Sequence, residues 1–167
     1  DDTRELEQLG GRATTLEVEL SAGAFKNGDN VNIAAVAYGD DQSVSYTADA
    51  TAPSFSSATY DADGDRLTLV FNEHVQYDGV VLTSVSLSGD EGTGEVTLGG
   101  GTVVESDDDE TIRVDVSASD AIAIEQLTGR AATLELKLAA GAVQNQDGLD
   151  ISAFDYTANN AVTYTAD

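Results

Sequence analysis

Three acidic residues form the part of the sequence with the clearest potential for chemistry. Asp61, Asp63 and Asp65 occupy alternate positions around Gly64. This spacing lets a tight loop place several carboxylate oxygens around one hard cation, and Ca²⁺ is the best match. Gly64 is the fourth residue of the group and no Glu occupies the twelfth place, so the loop is not an EF-hand. A solvated acidic hairpin turn explains the same residues, and both interpretations stay open.

No other set of residues has the pattern of a catalytic site. His74 is the only histidine, and the chain has no cysteine, so no nucleophile–histidine triad can be recognised. The nucleophile-elbow, phosphate-loop and zinc-ligand patterns are absent from the sequence. The 31 acidic residues contain no pair that stands out as a glycosidase pair. We therefore expect that the protein is not an enzyme.

The net charge of −24 limits the partners that the chain can have. Nucleic acids and anionic membranes need Lys and Arg to neutralise phosphate, whereas this chain has 7 basic residues against 31 acidic ones. Cations are the natural counterpart. Two explanations of the charge are compatible: a surface adapted to high salt, where self-repulsion is screened, and specific Ca²⁺ binding. No apolar run is long enough to predict insertion into a membrane.

A long internal repeat determines the domain organisation. When the chain is shifted by 118 positions, residues 7–49 align without a gap on residues 125–167, and 23 of these 43 positions are identical. A period of this length predicts whole domains in tandem rather than the short repeats of a solenoid. We therefore predict that residues 1–49 are the C-terminal part of one repeat and that residues 50–167 are a complete repeat.

Most of the repeat is predicted to be β-structure. Apolar and polar residues alternate at 16–20 and again at 134–138, which is the pattern of a half-buried strand. Residues 119–130 are predicted to form one short helix, which starts at Ser119 or Asp120 and ends at Gly129, and residues 1–12 are its echo. The other predicted strands are 31–38, 43–47, 55–60, 66–71, 80–87, 95–98, 102–105 and 111–116. Many short alternating strands separated by turns predict an antiparallel β-sandwich.

Four sequence segments carry a resemblance to a known class of protein. TAPSFSSATYD, RLTLVFNEHV, LKLAAGAVQNQDG and VTYTAD resemble the immunoglobulin-like repeats that form long arrays in prokaryotic surface-layer proteins and giant adhesins. Such repeats open with a proline just past an Asp-containing joint, and they have an Ala-Gly-x-x-x-Asn/Asp-Gly turn near their end. The resemblance implies immunoglobulin-like antiparallel β-sandwich modules in tandem, each with one short helix, in an extracellular protein at the cell surface.

The resemblance also implies where cations would bind. In such a sandwich the loop of Asp61, Asp63 and Asp65 faces the following joint at Asp167, and the loop 72–74 lies at the opposite end. A Ca²⁺ ion held by Asp49, Glu73 and Asp29 would then lock two modules into a rod. Asp29 and its counterpart in the repeat, Asp147, are turn residues first and possible ligands second, whereas the acidic run 107–110 is expected to be a solvated tip.

The segment 1–49 lacks the rest of its module within the sequence, which would leave an apolar strand face uncovered. Three interpretations stay open: the missing half precedes it in a longer array, strands of a neighbouring chain complete it head-to-tail by β-augmentation, or it is disordered. The expected function is a structural module of a surface layer, adhesin stalk or filament, with joints that Ca²⁺ stiffens. The alternative is a carbohydrate- or ice-binding domain of an adhesin.

Overall fold

A computed structural model describes residues 6, 9, 11–39, 42–90, 93–105 and 109–167. The chain divides into two compact units, Asp1–Asp49 and Ala50–Asp167. Most of the predicted helix 1–12 and two residues of the acidic tip 107–110 lie outside the described residues.

The described part of the first unit has little regular structure. One short helix, α1 (Arg12–Thr15), follows Gly11, whose φ of 78° is left-handed. Beyond it, the segment predicted as the strand 16–20 makes isolated bridges, which join Glu17 to Ser43 and Leu20 to Val36. The predicted strands 31–38 and 43–47 of this unit are likewise reduced to bridges in the described residues.

The second unit consists mostly of β-strands. Its regular elements are β1 (Phe55–Asp61), β2 (Arg66–Val75), a 3₁₀ turn (Leu82–Ser84), β3 (Val85–Ser88), β4 (Glu95–Thr97), β5 (Gly101–Val103), β6 (Asp109–Val116), α2 (Ala118–Glu125), α3 (Arg130–Thr133), β7 (Glu135–Leu138), a second 3₁₀ turn (Ala158–Asn160) and β8 (Val162–Thr165). The strands form a five-stranded sheet with the order β5-β6-β2-β1-β8 and a three-stranded sheet with the order β4-β3-β7. The prediction of a β-protein with two sheets is confirmed.

One core joins the two sheets, and its composition follows from the alternation in the sequence. On β2 the side chains of Leu67, Leu69 and Phe71 are buried, while the residues between them are partly exposed. Strand β7 contributes Leu136 and Leu138 to the same apolar cluster. Residues of period two therefore face one common interior, as the pattern predicts.

The pairing of the first and last strands differs from the all-antiparallel prediction. Strand β1 pairs with β2 in the antiparallel direction but with β8 in the parallel direction, with Ala58 opposite Val162 and Asp61 opposite Thr165. All other strand pairs of the described residues are antiparallel. The parallel pairing brings the end of the chain beside the end of the first strand.

The helical region also differs from the prediction of one short helix. Helix α2 begins after Ser117, whose hydroxyl accepts a hydrogen bond from Asp120 N, so the cap is Ser117 rather than Ser119 or Asp120. It ends at Glu125, and α3 begins only after Gly129, where φ is 83°. A left-handed residue cannot continue a right-handed helix, so the segment 119–130 divides in two.

Two boundaries of β-structure were also predicted wrongly. Residues 72–74, predicted as a loop, lie within β2, whose register shifts between Val70 and Val75. The predicted strand 80–87 begins instead with the 3₁₀ turn, and only Val85–Ser88 is extended. Such irregular stretches are hard to predict because their residues also fit a strand pattern.

The two copies of the repeated segment make the same local hydrogen bonds. Leu20 N donates to Val36 O at 2.9 Å, and Leu138 N donates to Phe154 O at 3.3 Å. The bonds from Gly23 N to Ile33 O and from Ile33 N to Phe25 O recur at the positions 118 residues later, as do the bridges 17–43, 20–36 and 26–32. The backbone of the described residues 11–39 and 42–44 therefore follows the bonding pattern of their counterparts in 129–162.

We expect Ile151→Ala to destabilise the second unit much more than Ile33→Ala destabilises the first. The two isoleucines are repeat counterparts, but Ile151 is 2% exposed and Ile33 is 38% exposed. Truncation of a fully buried Ile costs about 2–5 kcal/mol, whereas a surface truncation costs about 0.5 kcal/mol or less. Hydrogen exchange followed by mass spectrometry in increasing urea reads each unit separately. Equal effects in the two units would contradict the assigned burial.

Candidate cation sites at the two ends of the complete unit

Three of the predicted cation ligands lie in the turn between β1 and β2, and this turn lies beside the C-terminal strand. Ala62 N donates to Thr165 O at 3.0 Å, so the turn of Asp61, Asp63 and Asp65 belongs to the end of the unit at which the chain leaves. We call this the outgoing end. Asp65 adopts a left-handed φ of 49°, and its carbonyl accepts a bond of 2.8 Å from Val116 N, which fixes the turn to the end of β6.

Tyr60 is a buried polar group at the outgoing end. It has no exposed surface, its ring stacks on Tyr164 at 5.9 Å, and its hydroxyl has no hydrogen-bond partner among the described residues. Burial raises the pKa of the Tyr60 phenol well above its usual range, and the carboxylates of Asp65, Glu125 and Asp167 raise this pKa further. These three carboxylates therefore share one region of negative potential.

Glu73 lies at the other end of the unit, beside the start of the chain segment that leads into β1. Its Oε2 is 3.5 Å from Asn145 Nδ2, and the same Nδ2 donates to Thr51 O at 3.2 Å. Ser54 N donates to Asn72 Oδ1, which ties the segment to β2. We call this the incoming end, and it contains Asp147, whose N donates to Asn145 Oδ1 at 3.1 Å.

Asn145 is the residue that organises the incoming end, although its sequence context indicates a turn former first and a possible ligand second. The side chain is 3% exposed. Its Oδ1 accepts bonds from Asp147 N and Leu149 N, while its main-chain carbonyl accepts a bond of 2.8 Å from Gln76 Nε2. Asn145 thus joins the turn 145–149 to β2 and to the start of the unit. The fact that it lies in an Asn-x-Asp-Gly turn gave no signal of these distant partners.

The predicted cation ligands do not all lie together. Asp61, Asp63, Asp65 and Asp167 belong to the outgoing end, while Glu73 and Asp147 belong to the incoming end. Asp29 lies in the exposed turn 27–31, where its N donates to Asn27 Oδ1 at 3.0 Å, and Asp49 is the exposed last residue of the first unit. Among the described residues, no three His, Cys, Asp or Glu side chains form a group that could hold a metal ion. Calcium binding therefore stays a prediction.

One ion pair crosses the three-stranded sheet of the second unit. Lys137 Nζ on β7 lies 2.9 Å from Glu95 Oε2 on β4, over the intervening strand β3. The hydrogen bond from Lys137 lowers the pKa of Glu95, and the same bond raises the pKa of Lys137. In the first unit the counterpart of Lys137 is Glu19, so the repeat reverses the charge at this place.

We predict that Asn145→Asp destabilises the second unit at neutral pH. The substituted side chain keeps the two acceptor bonds in the turn, but it loses the donor to Thr51 O and brings a second carboxylate against Glu73. The loss is about 2 kcal/mol, and it lessens at acidic pH, since protonation of the introduced carboxyl group removes the repulsion. Urea unfolding at several pH values measures the effect.

Asn27→Asp is the matched control for that substitution. Asn27 holds the same turn by bonds to Asp29 N and Val31 N, but its side chain is exposed. We expect a change of about 0.5 kcal/mol or less in the first unit. An Asn145→Asp protein that unfolds like the unchanged protein at pH 7 would contradict the role assigned to Asn145.

Tyr60→Phe is expected to leave stability at pH 7 nearly unchanged and to improve it at alkaline pH. The hydroxyl has no bond to lose. Because the pKa is higher in the folded state than in the unfolded state, where it is about 10, the unfolded chain ionises first and stability falls above about pH 10. Unfolding at pH 7 and 10.5 tests this, with Tyr38→Phe, an exposed tyrosine, as control. An equal alkaline loss with and without the Tyr60 hydroxyl would contradict it.

No helix in the described ranges combines the length and the apolar character that a membrane crossing needs. Comparisons of the chain with families of known proteins, with curated proteins and with solved structures give no match.

Proposed function

We propose that this chain is a structural module of an extracellular tandem-repeat protein, such as a surface layer, an adhesin stalk or a filament, and that Ca²⁺ stiffens the joints between its modules. The observation that carries the proposal is the recurrence of one hydrogen-bonding pattern at residues 11–44 and 129–162. Two segments of similar sequence that bond alike are what a tandem array of one domain type would contain.

The arrangement of the complete unit supports an in-line array. The chain enters at Thr51, before the first residue of β1, and leaves at Asp167, beside the turn that follows the last residue of β1. The incoming and outgoing ends are thus separated by the length of that strand. A domain with this path passes the chain straight to the next domain, which is the property that a rod or stalk needs.

An immunoglobulin-like sandwich is the fold that we propose for the module. Two sheets over a single apolar core, with short strands and one principal helix, support this assignment. The parallel pairing of β1 with β8 is compatible with such a sandwich, because it affects only the edge of one sheet. The interior remains built from antiparallel neighbours.

Carboxylates at both ends of the module support Ca²⁺ as the joint ligand. The outgoing end has Asp61, Asp63, Asp65 and Asp167, and the incoming end has Glu73 and Asp147. With a net charge of −24, successive modules repel one another unless cations neutralise the joints. The proposal keeps Asp49, Glu73 and Asp29 as the ligand set that the resemblance implies.

Calcium is expected to raise the melting temperature of the chain. An ion that binds only the folded state adds about 2.7 kcal/mol when its concentration is 100 times Kd, which corresponds to a rise in Tm of about 10 °C for a unit of this size. Calorimetry in EGTA and in millimolar CaCl₂ at fixed ionic strength measures it. Glu73→Gln and Asp65→Asn should each remove part of the shift, and the exposed Asp90→Asn should not.

Two results would contradict the calcium proposal. The first is an equal Tm in EGTA and CaCl₂. The second is a shift that MgCl₂ reproduces at the same ionic strength, since general screening of charge would then explain it. NMR relaxation of the two units tests the stiffening itself: in CaCl₂ both units should tumble with one correlation time, and in EGTA with two.

A further inference from the structure

The first unit has an apolar face whose counterpart in the second unit is covered. Val18, Phe25, Ile33 and Val44 are 38%, 63%, 38% and 42% exposed. Their counterparts 118 residues later, Leu136, Val143, Ile151 and Val162, are at most 5% exposed. We call the first set the open face. A cavity of about 370 Å³ lies on it, lined in part by Phe25, Val31 and Ile33.

Residues 76–88 of the second unit account for much of the cover on this counterpart. Strand β3 pairs along β7, with Leu87 opposite Leu136 and Val85 opposite Leu138. Before β3, Val81 N donates to Ala142 O and Gln76 N donates to Gln144 O, each at 2.9 Å. One continuous segment therefore supplies both the backbone partners and the apolar cover.

The same edge is open in the first unit. Leu20 exchanges two backbone bonds of 2.9 Å with Val36, so the backbone groups of its neighbours Glu19 and Ser21 point to the other side. In the second unit that side is where Ala139 N, the counterpart of Ser21 N, donates to Ser84 O on the way to β3. The described residues of the first unit place no strand there. An edge of this kind accepts an added strand.

We propose that the open face and the adjoining edge are a docking site for a further half-module of the kind formed by residues 50–118. The incoming strand takes the place of β3, and its preceding segment covers Phe25 and Ile33. The inference rests on the proposed function, because only a protein built from these repeats supplies such a half. It deepens that function by naming the partner and the surface that receives it.

The half-module 50–118 of another copy is not the occupant. Residues 1–167 contain two segments that need cover, 7–49 and 125–167, and one half that covers such a segment, 50–118. If residues 50–118 of one copy covered the segment 7–49 of another copy, they would leave the segment 125–167 of their own copy uncovered. To cover both segments at once therefore requires a half-module in addition to the one at residues 50–118.

Charge identifies how this further half differs from residues 50–118. In the second unit Glu95 pairs with Lys137 at 2.9 Å. At the open face Glu19 stands in the place of Lys137, so a half-module with Glu at the place of Glu95 would bring two carboxylates together. The matching half-module carries Lys or Arg there, because two carboxylates at this distance across the intervening strand repel each other.

Two labelled peptides test this directly on the full chain. One has the sequence of residues 73–98, and the other has the same sequence with Glu95→Lys. Fluorescence anisotropy at low ionic strength should show that the Lys peptide binds about fivefold more tightly, the ratio that an exposed charge pair of about 1 kcal/mol gives. Glu19→Lys in the chain should reverse the preference. NMR should place the largest shifts at Val18 and Phe25.

Matched variants of the chain complete the experiment. Phe25→Asp should abolish binding of both peptides, and Ile122→Asp, at a residue that is 58% exposed on α2, should leave binding unchanged. The proposal is overturned if neither peptide binds, if Phe25→Asp has no effect, or if Glu19→Lys does not change the preference. It is also overturned if the chain alone forms a dimer that Phe25→Asp dissociates, since a second copy would then cover the face.

Measurement in EGTA and in CaCl₂ separates this proposal from the calcium proposal. Docking uses apolar contacts and a strand edge, so peptide binding is expected in both buffers. Peptide binding without a calcium shift in Tm would retain the docking site and reject the calcium joints. A rise in Tm with calcium, without peptide binding, would retain the calcium joints and reject the docking site.

Discussion

The structure of the second unit depends on the burial of strand β7 by its neighbours. In the complete unit β7 has β3 along one edge and bridges to Phe154 and Ala161 along the other, and its leucines are sealed in the core. The segment 16–20 has the same alternation and the same bridges on one side. Residues 16–20 are nevertheless partly or fully exposed, because the described residues of the first unit include no strand equivalent to β3. The C-terminal segment of the repeat therefore carries its local bonding in its own sequence but depends on the N-terminal half for burial, which is the larger source of stability.

The chain enters the second unit at one end and reaches Asp167 at the other end. Asn145 holds the turn 145–149 to β2 and to the segment at Thr51, so the incoming end is fixed by a buried amide. At the outgoing end the parallel pairing of β8 with β1 brings the carboxyl-terminal residues beside the turn of Asp61 and Asp65. The hydrogen bonds of one amide thus order the incoming end, and carboxylates lie at both ends. A buried amide costs little once it is bonded.

Sequence patterns predicted the parts of the fold that depend on local order. The period-two runs at 66–71 and 134–138 became β2 and β7 because side-chain direction alternates in any strand. The parallel neighbour of β1 could not be predicted, since strand pairing depends on contacts more than 100 residues apart in the sequence. Tyr60 and Asn145 were missed for the same reason: each is a common residue in its local pattern, and only the fold shows that it is buried. The three carboxylates that raise the pKa of Tyr60, those of Asp65, Glu125 and Asp167, likewise come from distant parts of the chain.

Both the turns and the apolar face contain identical and different residues in the two repeat copies. In the turns Gly23 and Gly141, which both have left-handed φ, are identical, as are Asn27 and Asn145, whereas the left-handed Asn30 has Gly148 as its counterpart. On the apolar face Ile33 and Val44 are identical to Ile151 and Val162, whereas Val18 and Leu136, and Phe25 and Val143, differ in size. Beside this face Glu19 and Lys137 differ in charge. A tight turn accepts few residues whatever lies around it, but an apolar interface accepts any set that fills the space against its own partner. In the array that we propose, the differences at Val18, Phe25 and Glu19 fit this C-terminal segment to its own N-terminal half, which keeps neighbouring modules from exchanging halves.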